Sequence, residues 1–142
     1  MIPLTMIRKI KGKDKISELE KTYGSLKNLK RKFAKDDENM LLYSDLEDWE
    51  YFMNHPEEEL EEGKTIFLET MNIGQIEFEI LKFIKNNQPK SISELAKLTN
   101  KEVSAVQKKV KLLEKEGIIN FVSGSKNRKM PVFNFDKLEI PI

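Results

Sequence analysis

Residues 91–135 carry the strongest pattern in the chain and read SISELAKLTNKEVSAVQKKVKLLEKEGIINFVSGSKNRKMPVFNF. Ser93 is a candidate cap for a short helix, because it precedes an apolar face formed by Leu95, Ala96 and Leu98. The next three residues, Thr99-Asn100-Lys101, are types that favour turns and caps. The stretch therefore begins with a predicted short helix that ends in a turn.

A longer helix is predicted to follow, over residues 101–116. Its apolar residues recur at steps of three and four, which is typical of one stripe of an amphipathic helix. The helix is expected to end before Gly117, since glycine commonly follows the last turn of a helix. The stripe consists of Val103, Val106, Val110 and Leu113.

Two strands and a connecting turn are predicted over residues 118–135. The turn residues are Ser123-Gly124-Ser125-Lys126-Asn127, and Pro131 indicates an edge position in the returning strand. β-Branched and aromatic side chains favour the strands themselves. They are Ile118, Ile119, Phe121 and Val122 in the first strand, and Val132, Phe133 and Phe135 in the second.

Another helix is predicted upstream, where apolar residues recur at helical spacing until the polar stretch 86–89 closes with Pro89. Ser91-Ile92 could add a brief third strand beside the hairpin. The order helix, helix, turn, helix, hairpin predicts a mainly α fold with a small β wing, of the α+β class: a winged helix-turn-helix with an N-terminal helical extension. The upstream stripe is Ile73, Ile76, Ile80, Leu81 and Ile84.

This arrangement resembles the MarR-like and ArsR-like winged-helix transcriptional regulators. More narrowly, it resembles a group of predicted archaeal DNA-binding proteins in three segments: IFLETMNIGQIEFEILKFI, SISELAKLTNKEVSAVQKKVKLLEKEGII and VFNFDKLEIPI. The resemblance covers Thr65 to Ile142 and implies DNA binding by that half of the chain. Residues 64–142 are accordingly expected to form the DNA-binding domain.

The second predicted helix of this half carries the candidate DNA-contacting face. At 100° per residue, the side opposite the apolar stripe is rich in lysine, and lysines can neutralise phosphates. Gln107 lies closer to the packed side, so it is a weaker candidate. The alternative is that these lysines only solvate an exposed helix. The predicted face comprises Lys101, Ser104, Lys108, Lys111 and Lys115, with Ala105 at its edge.

The predicted hairpin tip adds a second set of cations. Lys126, Arg128 and Lys129 lie within four residues, and a charged tip suits the minor groove or the neighbouring phosphates. The alternative is that a charged loop serves solubility.

Residues 1–63 are predicted to be a helical segment that serves packing or dimerisation, with a DNA-flanking arm as an alternative because Lys and Arg crowd positions 27–35. An apolar seam of about five helical turns is expected there, interrupted only by Gly24. This seam requires a covering surface, which could be the winged module, a second copy of the chain or another protein. Its members are Ile16, Leu19, Tyr23, Leu26, Leu29 and Phe33.

A second helix of this segment is predicted to start at a capping box, Ser44 with Glu47, and to place Trp49 in the core. Its apolar face is expected to be too short to cover the whole seam. We expect the acidic residues 57–62 to form a solvated linker, with partner binding or DNA mimicry as the alternative.

Charge is segregated along the chain although the net charge is only +1. Residues 1–35 hold eleven Lys/Arg against three Asp/Glu, residues 36–69 hold one against thirteen, and residues 70–142 hold thirteen against eight. Blocks of opposite sign allow one segment to lie against the other, within a chain or between two chains.

Composition excludes several kinds of site. With no cysteine, the chain has no disulfide, thiolate metal site or cysteine nucleophile, which fits a reducing cytosol. His55 is the single histidine and is expected to be a helix-end residue, so neither a metal site nor a catalytic pair is indicated. No phosphate loop, cofactor motif, signal peptide or membrane span is recognisable. The sequence therefore predicts a cytoplasmic protein that is not an enzyme and carries no cofactor or metal.

The resulting expectation is a DNA-binding transcriptional regulator that acts as a homodimer on double-stranded DNA, with no small-molecule effector identified. The alternative is a protein-protein interaction module built on the same fold without specific DNA binding. The lysine-rich face of residues 101–115 favours the first, because an acidic or apolar face would have favoured the second.

Overall fold

The computed structural model describes residues 1–124, 126 and 128–142. That part of the chain contains six α-helices and five β-strands, so it is an α+β protein, as predicted. In chain order the elements are β1 (Ile2–Lys11), α1 (Gly12–Tyr23), α2 (Leu26–Lys35), α3 (Met40–Met53), β2 (Glu59–Leu68), α4 (Gln75–Asn87), α5 (Ile92–Thr99), α6 (Val103–Lys115), β3 (Asn120–Ser123), β4 (Lys129–Val132) and β5 (Lys137–Glu139).

The strands form two small sheets among the described residues. One has the order β2-β1-β5, in which β1 and β5 are antiparallel with Met6 opposite Leu138. The other is the antiparallel hairpin β3–β4, in which Phe121 lies opposite Pro131. The N-terminal strand β1 was not predicted from the sequence, which indicated only helices before residue 64.

The chain divides into two compact units. The larger unit comprises Met1–Arg8 and Gly63–Ile142, and the smaller unit comprises Lys9–Glu62. The sequence had placed the first eight residues with the N-terminal segment. They belong to the larger unit because Leu4 and Met6 are fully buried in its core.

A single hydrophobic core holds the larger unit together. Helices α4, α5 and α6 each contribute buried side chains at helical spacing, and β1 and β2 close the core with Leu4, Met6 and Leu68. The helical contributors are Ile80, Leu81, Ile84, Leu95, Ala96, Val106, Val110 and Leu113, joined by Ile118, Ile119 and Phe133.

The ends of these helices follow local backbone chemistry. Ser91 caps α5, since its hydroxyl accepts a hydrogen bond of 3.1 Å from the Glu94 backbone N–H. The predictions of Ser93 as the cap and of Ser91-Ile92 as a strand are therefore wrong. Asn100 adopts the left-handed conformation after α5, with φ 55°, and Gly117 does so after α6, with φ 85°, as the turn and stop signals indicated.

The smaller unit contains α1, α2 and α3. The single predicted helix of about five turns is in fact two helices, which separate at Gly24, where φ is 85°. Their apolar residues pack on α3, which contributes Trp49, Leu42 and Leu46. The face around Trp49 therefore covers the seam for which a larger partner was expected. This core comprises Leu19, Leu29 and Trp49, with Ile16, Tyr23, Leu26, Leu42 and Leu46 packed against it.

Helix α3 starts earlier than predicted. Asn39 is its cap, and its side-chain oxygen accepts hydrogen bonds from the backbone N–H groups of Leu41 and Leu42. Ser44 and Glu47 lie inside the helix, so the predicted capping box is wrong. His55 follows the helix end as expected, with its ring stacked on Tyr51.

The acidic run is not a linker, because Glu59–Leu68 forms strand β2. Within the smaller unit its carboxylates pair with lysines from the start of the chain: Lys9 with Glu61 at 3.8 Å, Lys11 with Glu57 at 3.1 Å, Lys13 with Glu57 at 3.4 Å and Lys15 with Glu62 at 2.7 Å. The hydrogen bond from Lys11 lowers the pKa of the Glu57 carboxyl. The opposite charge blocks thus meet within one chain.

Helices with the length and apolarity needed to cross a membrane do not occur in the described residues.

Candidate nucleic-acid interface

Helix α6 is fixed by its apolar stripe. Val106 and Val110 are completely buried and Leu113 is nearly so, and all three lie in the core that α4 and α5 share. The opposite side of α6 is exposed, as is typical of an amphipathic helix. The orientation predicted for residues 103–115 is therefore observed.

The outward side of α6 carries most of the predicted contact residues. Ser104, Ala105, Lys108, Lys111 and Lys115 are all exposed. Lys101 is also exposed, but it lies in the turn before the helix, because α6 begins at Val103 rather than at residue 101.

Two details of the predicted face are wrong. Val103, the first residue of α6, was assigned to the buried stripe but is 45% exposed, whereas Val106 one turn later is completely buried. Gln107 was assigned toward the packed side but is exposed, so its amide is available to a ligand.

The exposed cations of α6 lack carboxylate partners. Among the residues the structure describes, no ion pair involves Lys101, Lys108, Lys111 or Lys115. By contrast, Lys109 points toward α4, and its Nζ lies 3.5 Å from Glu77 Oε1. An unpaired ammonium group gives up no internal ion pair when it moves to a phosphate, so this face is better suited to polyanion binding than a paired one.

The hairpin β3–β4 supplies the second set of cations. Lys126, Arg128 and Lys129 are exposed, and Lys126 has a positive φ of 57°. The Gly124 N–H donates to the Arg128 carbonyl oxygen at 2.6 Å, which closes the hairpin end. Two residues of the predicted turn, 125 and 127, lie outside the described residues.

The base of the hairpin is tied to the same core as α6. Ile118 and Ile119 lie between α6 and β3 and are buried, and Phe133 is buried just after β4. Phe133 and Phe135 were predicted within the returning strand but lie beyond it, since β4 ends at Val132. The shared core means that the basic tip and the α6 face are presented by one packed unit.

Two further cations of this unit were not predicted as contacts from the sequence. Lys90 precedes α5 and Lys97 lies on α5, and both are exposed. A local signal for Lys97 exists, because this residue lies opposite the apolar positions of a short amphipathic helix. The spacing of α5 therefore indicates an outward lysine on the first helix of the pair as well as on the second.

A metal centre and a small-molecule pocket are the other kinds of site that such a unit could hold. In residues 1–124, 126 and 128–142, no group of three or more His, Asp and Glu side chains could hold a metal ion. A groove of about 320 Å³ lies between the end of α4 and strand β4, where Ile84, Gln88 and Val132 are among its lining residues.

Residues 75–140 match the family model described as HVO_A0114. The matched segment is less than half of the chain and runs from α4 to the end of β5. No curated protein and no solved structure matches the chain. The chain is therefore similar to the HVO_A0114 family over the segment that carries the candidate interface.

Proposed function

We propose that this protein is a DNA-binding transcriptional regulator of the winged helix-turn-helix type. In this proposal α5 and α6 form the helix-turn-helix, α6 enters the major groove, and the hairpin β3–β4 is the wing. The protein acts as a homodimer, because one such module reads only one half of a palindromic operator.

One observation carries the proposal. Four exposed lysines without carboxylate partners in the described residues lie on or just before α6, and the hairpin tip adds three more exposed cations from the same packed unit. Cations placed in this way can bind duplex phosphates, and Ser104 near the helix start can reach a base edge.

The test is a titration of duplex DNA with the full-length protein at several salt concentrations. The double variant Lys108→Ala/Lys111→Ala should bind more weakly, with a logarithmic salt slope smaller in magnitude by about 0.9 for each phosphate that is no longer neutralised. Both side chains are exposed, so the variant should keep the circular dichroism spectrum and melting temperature of the wild type.

A matched control removes the same charge elsewhere in the larger unit. Lys64→Ala/Lys82→Ala also neutralises two exposed lysines for which the described residues show no ion pair, and these lie on β2 and α4. We expect this control to bind DNA nearly as the wild type does. An unchanged affinity of the α6 variant, beside a wild type that binds, would show that α6 is not the contacting helix.

The second candidate function is a protein-protein interaction module. Val103 and Leu112 on α6 are 45% and 39% exposed, and exposed apolar side chains on a helix suit a protein partner. A wild-type protein that binds no duplex at low salt would favour this function.

A further inference from the structure

Helix α2 of the smaller unit is unusually basic. Its ten residues, LKNLKRKFAK, include five cations and no acidic residue. The proposed contacts of α6 and the hairpin do not involve this helix, which belongs to the other unit.

The packing of α2 determines which cations face outward. Leu29 is completely buried, and Leu26 packs against the same core, so one side of α2 is held against α1 and α3. Lys27, Arg31 and Lys35 lie four residues apart on the opposite side, and all three are exposed. At a rise of about 1.5 Å per residue, they form a row about 12 Å long.

These three side chains have no acidic partner. In the described part of the chain, no ion pair involves any of them, whereas the carboxylates at positions 57, 61 and 62 pair with other lysines. The two flanking cations do have neighbours: Lys30 lies 4.0 Å from Glu50, and Lys32 lies over the Tyr23 ring. The unpaired charge is therefore concentrated in the central row.

Helix stability does not account for the charges of the row. Like charges four residues apart destabilise a helix, and the row contains two such pairs, Lys27 with Arg31 and Arg31 with Lys35. The helix dipole favours cations only in the last turn, which accounts for Lys35 but not for Lys27. A polyanionic ligand would neutralise these charges and remove the repulsion between them, so the row is suited to binding such a ligand.

We propose that the row Lys27, Arg31 and Lys35 on α2 is a second DNA-contacting surface, which binds the phosphate backbone of the duplex without reading its sequence. A row of about 12 Å spans the axial length of about three to four successive phosphates of one strand. Lysine and arginine on a helix surface contact phosphates readily, and the contact adds affinity and little base specificity. This inference rests on the proposed DNA-binding function and adds a second site to it.

The experiment compares Arg31→Glu with Arg31→Lys in the full-length protein. The operator duplex is one that the wild-type protein selects from a pool of random sequences. Arg31→Glu should lower the affinity for this operator and for unselected random duplexes by similar factors, roughly tenfold at low salt, with a salt slope reduced in magnitude by about 0.9 or more. Arg31→Lys should bind like the wild type, because it keeps the charge. Lys64→Gln/Lys82→Gln changes the net charge by as much as Arg31→Glu, also at lysines for which the described residues show no ion pair, and should leave the affinity nearly unchanged.

Thermal unfolding supplies a readout that separates binding from damage. Arg31→Glu replaces two repulsive pairs with two attractive ones, so the free protein should melt at an equal or higher temperature. A weaker affinity together with unchanged or increased stability supports a binding role. A lower melting temperature in the free protein would instead make Arg31 a structural residue and overturn the proposal.

The remaining outcomes distinguish this inference from the proposed function. If Lys108→Ala/Lys111→Ala weakens DNA binding but Arg31→Glu does not, the α2 contact is overturned and the proposed function stands. If only Arg31→Glu weakens it, the role assigned to α6 fails while the α2 contact stands. A wild type that binds no duplex overturns both, and binding of anionic vesicles that Arg31→Glu alone abolishes would then assign the row to a membrane surface.

Discussion

Gly12 lies at the junction of β1 and α1, where its backbone lies close to Phe52 and His55 at the end of α3. A Cβ atom at this position would lie 2.5 Å from the His55 carbonyl oxygen and 2.7 Å from Phe52 Cδ1. The Gly12 N–H also donates to the Glu58 carbonyl oxygen at 2.8 Å, which holds the two segments at this separation. No side chain can be added here without moving the backbone.

We therefore expect Gly12→Ala to lower the free energy of unfolding by about 1–3 kcal/mol, as overpacking commonly does. Chemical denaturation of the full chain measures the change. Gly63→Ala is the control, because a Cβ there would meet nothing closer than Thr5 Cγ2 at 3.4 Å, an ordinary van der Waals contact. Equal stability losses in the two variants would contradict the close approach at Gly12.

The hairpin β3–β4 combines a base that is fixed in the core with a tip that carries exposed cations. Its strands pair over four residues each, and its exposed tip carries Lys126, Arg128 and Lys129. Its base is anchored in the core by Phe133, so the tip projects from a fixed support. A short hairpin with long basic side chains binds charge more readily than it fixes the geometry of base contacts.

Neutralising all three tip cations to glutamine should lower the affinity for operator and random duplexes by similar factors. The magnitude of the salt slope should fall by about 0.9 for each phosphate that the tip no longer neutralises. Anisotropy titrations with both duplexes make the comparison, and a triple change of exposed Lys21, Lys64 and Lys82 to glutamine is the control of equal charge. A reduced affinity for the operator alone would instead assign base reading to the hairpin.

The molecule as a whole consists of two units that are interleaved along the chain, since residues 1–8 belong with residues 63–142. A fragment that starts at Lys64 lacks Leu4 and Met6, which are fully buried in the larger unit, so it would lack part of its core. Oligomeric state is therefore best measured on the full chain.

We predict that the full-length protein is a homodimer and that two chains bind one operator duplex. The apolar seam of residues 16–33 is largely covered by α3 within its own unit, so this seam is no longer needed as the interface. Light scattering at high micromolar concentration gives the mass, and titration of a palindromic duplex gives the stoichiometry. A monomer under those conditions, bound one to one, would contradict the prediction.

Local patterns in the sequence were enough to predict the order of α4, α5, α6 and the hairpin, because each depends on the spacing of apolar residues and on turn signals nearby in the chain. Gly117 ended α6 and Asn100 ended α5 as expected, since left-handed backbone depends on local sterics. The outward lysines of α6 followed from helical periodicity alone. The contacts of these residues with DNA remain predictions.

Packing between distant segments settled what the sequence could not. Strand β1 was missed although Ile2, Leu4 and Met6 alternate with Pro3 and Thr5 as in a half-buried strand. Its pairing with β5, some 130 residues away, could not be predicted from local sequence. Sheet pairing with β1 made residues 59–62 of the predicted linker part of β2, and lysines near the start of the chain pair with carboxylates of the acidic run. Tertiary contacts likewise decided that the face around Trp49 covers the helical seam. Periodicity shows only that a surface is apolar, whereas burial depends on which surfaces meet.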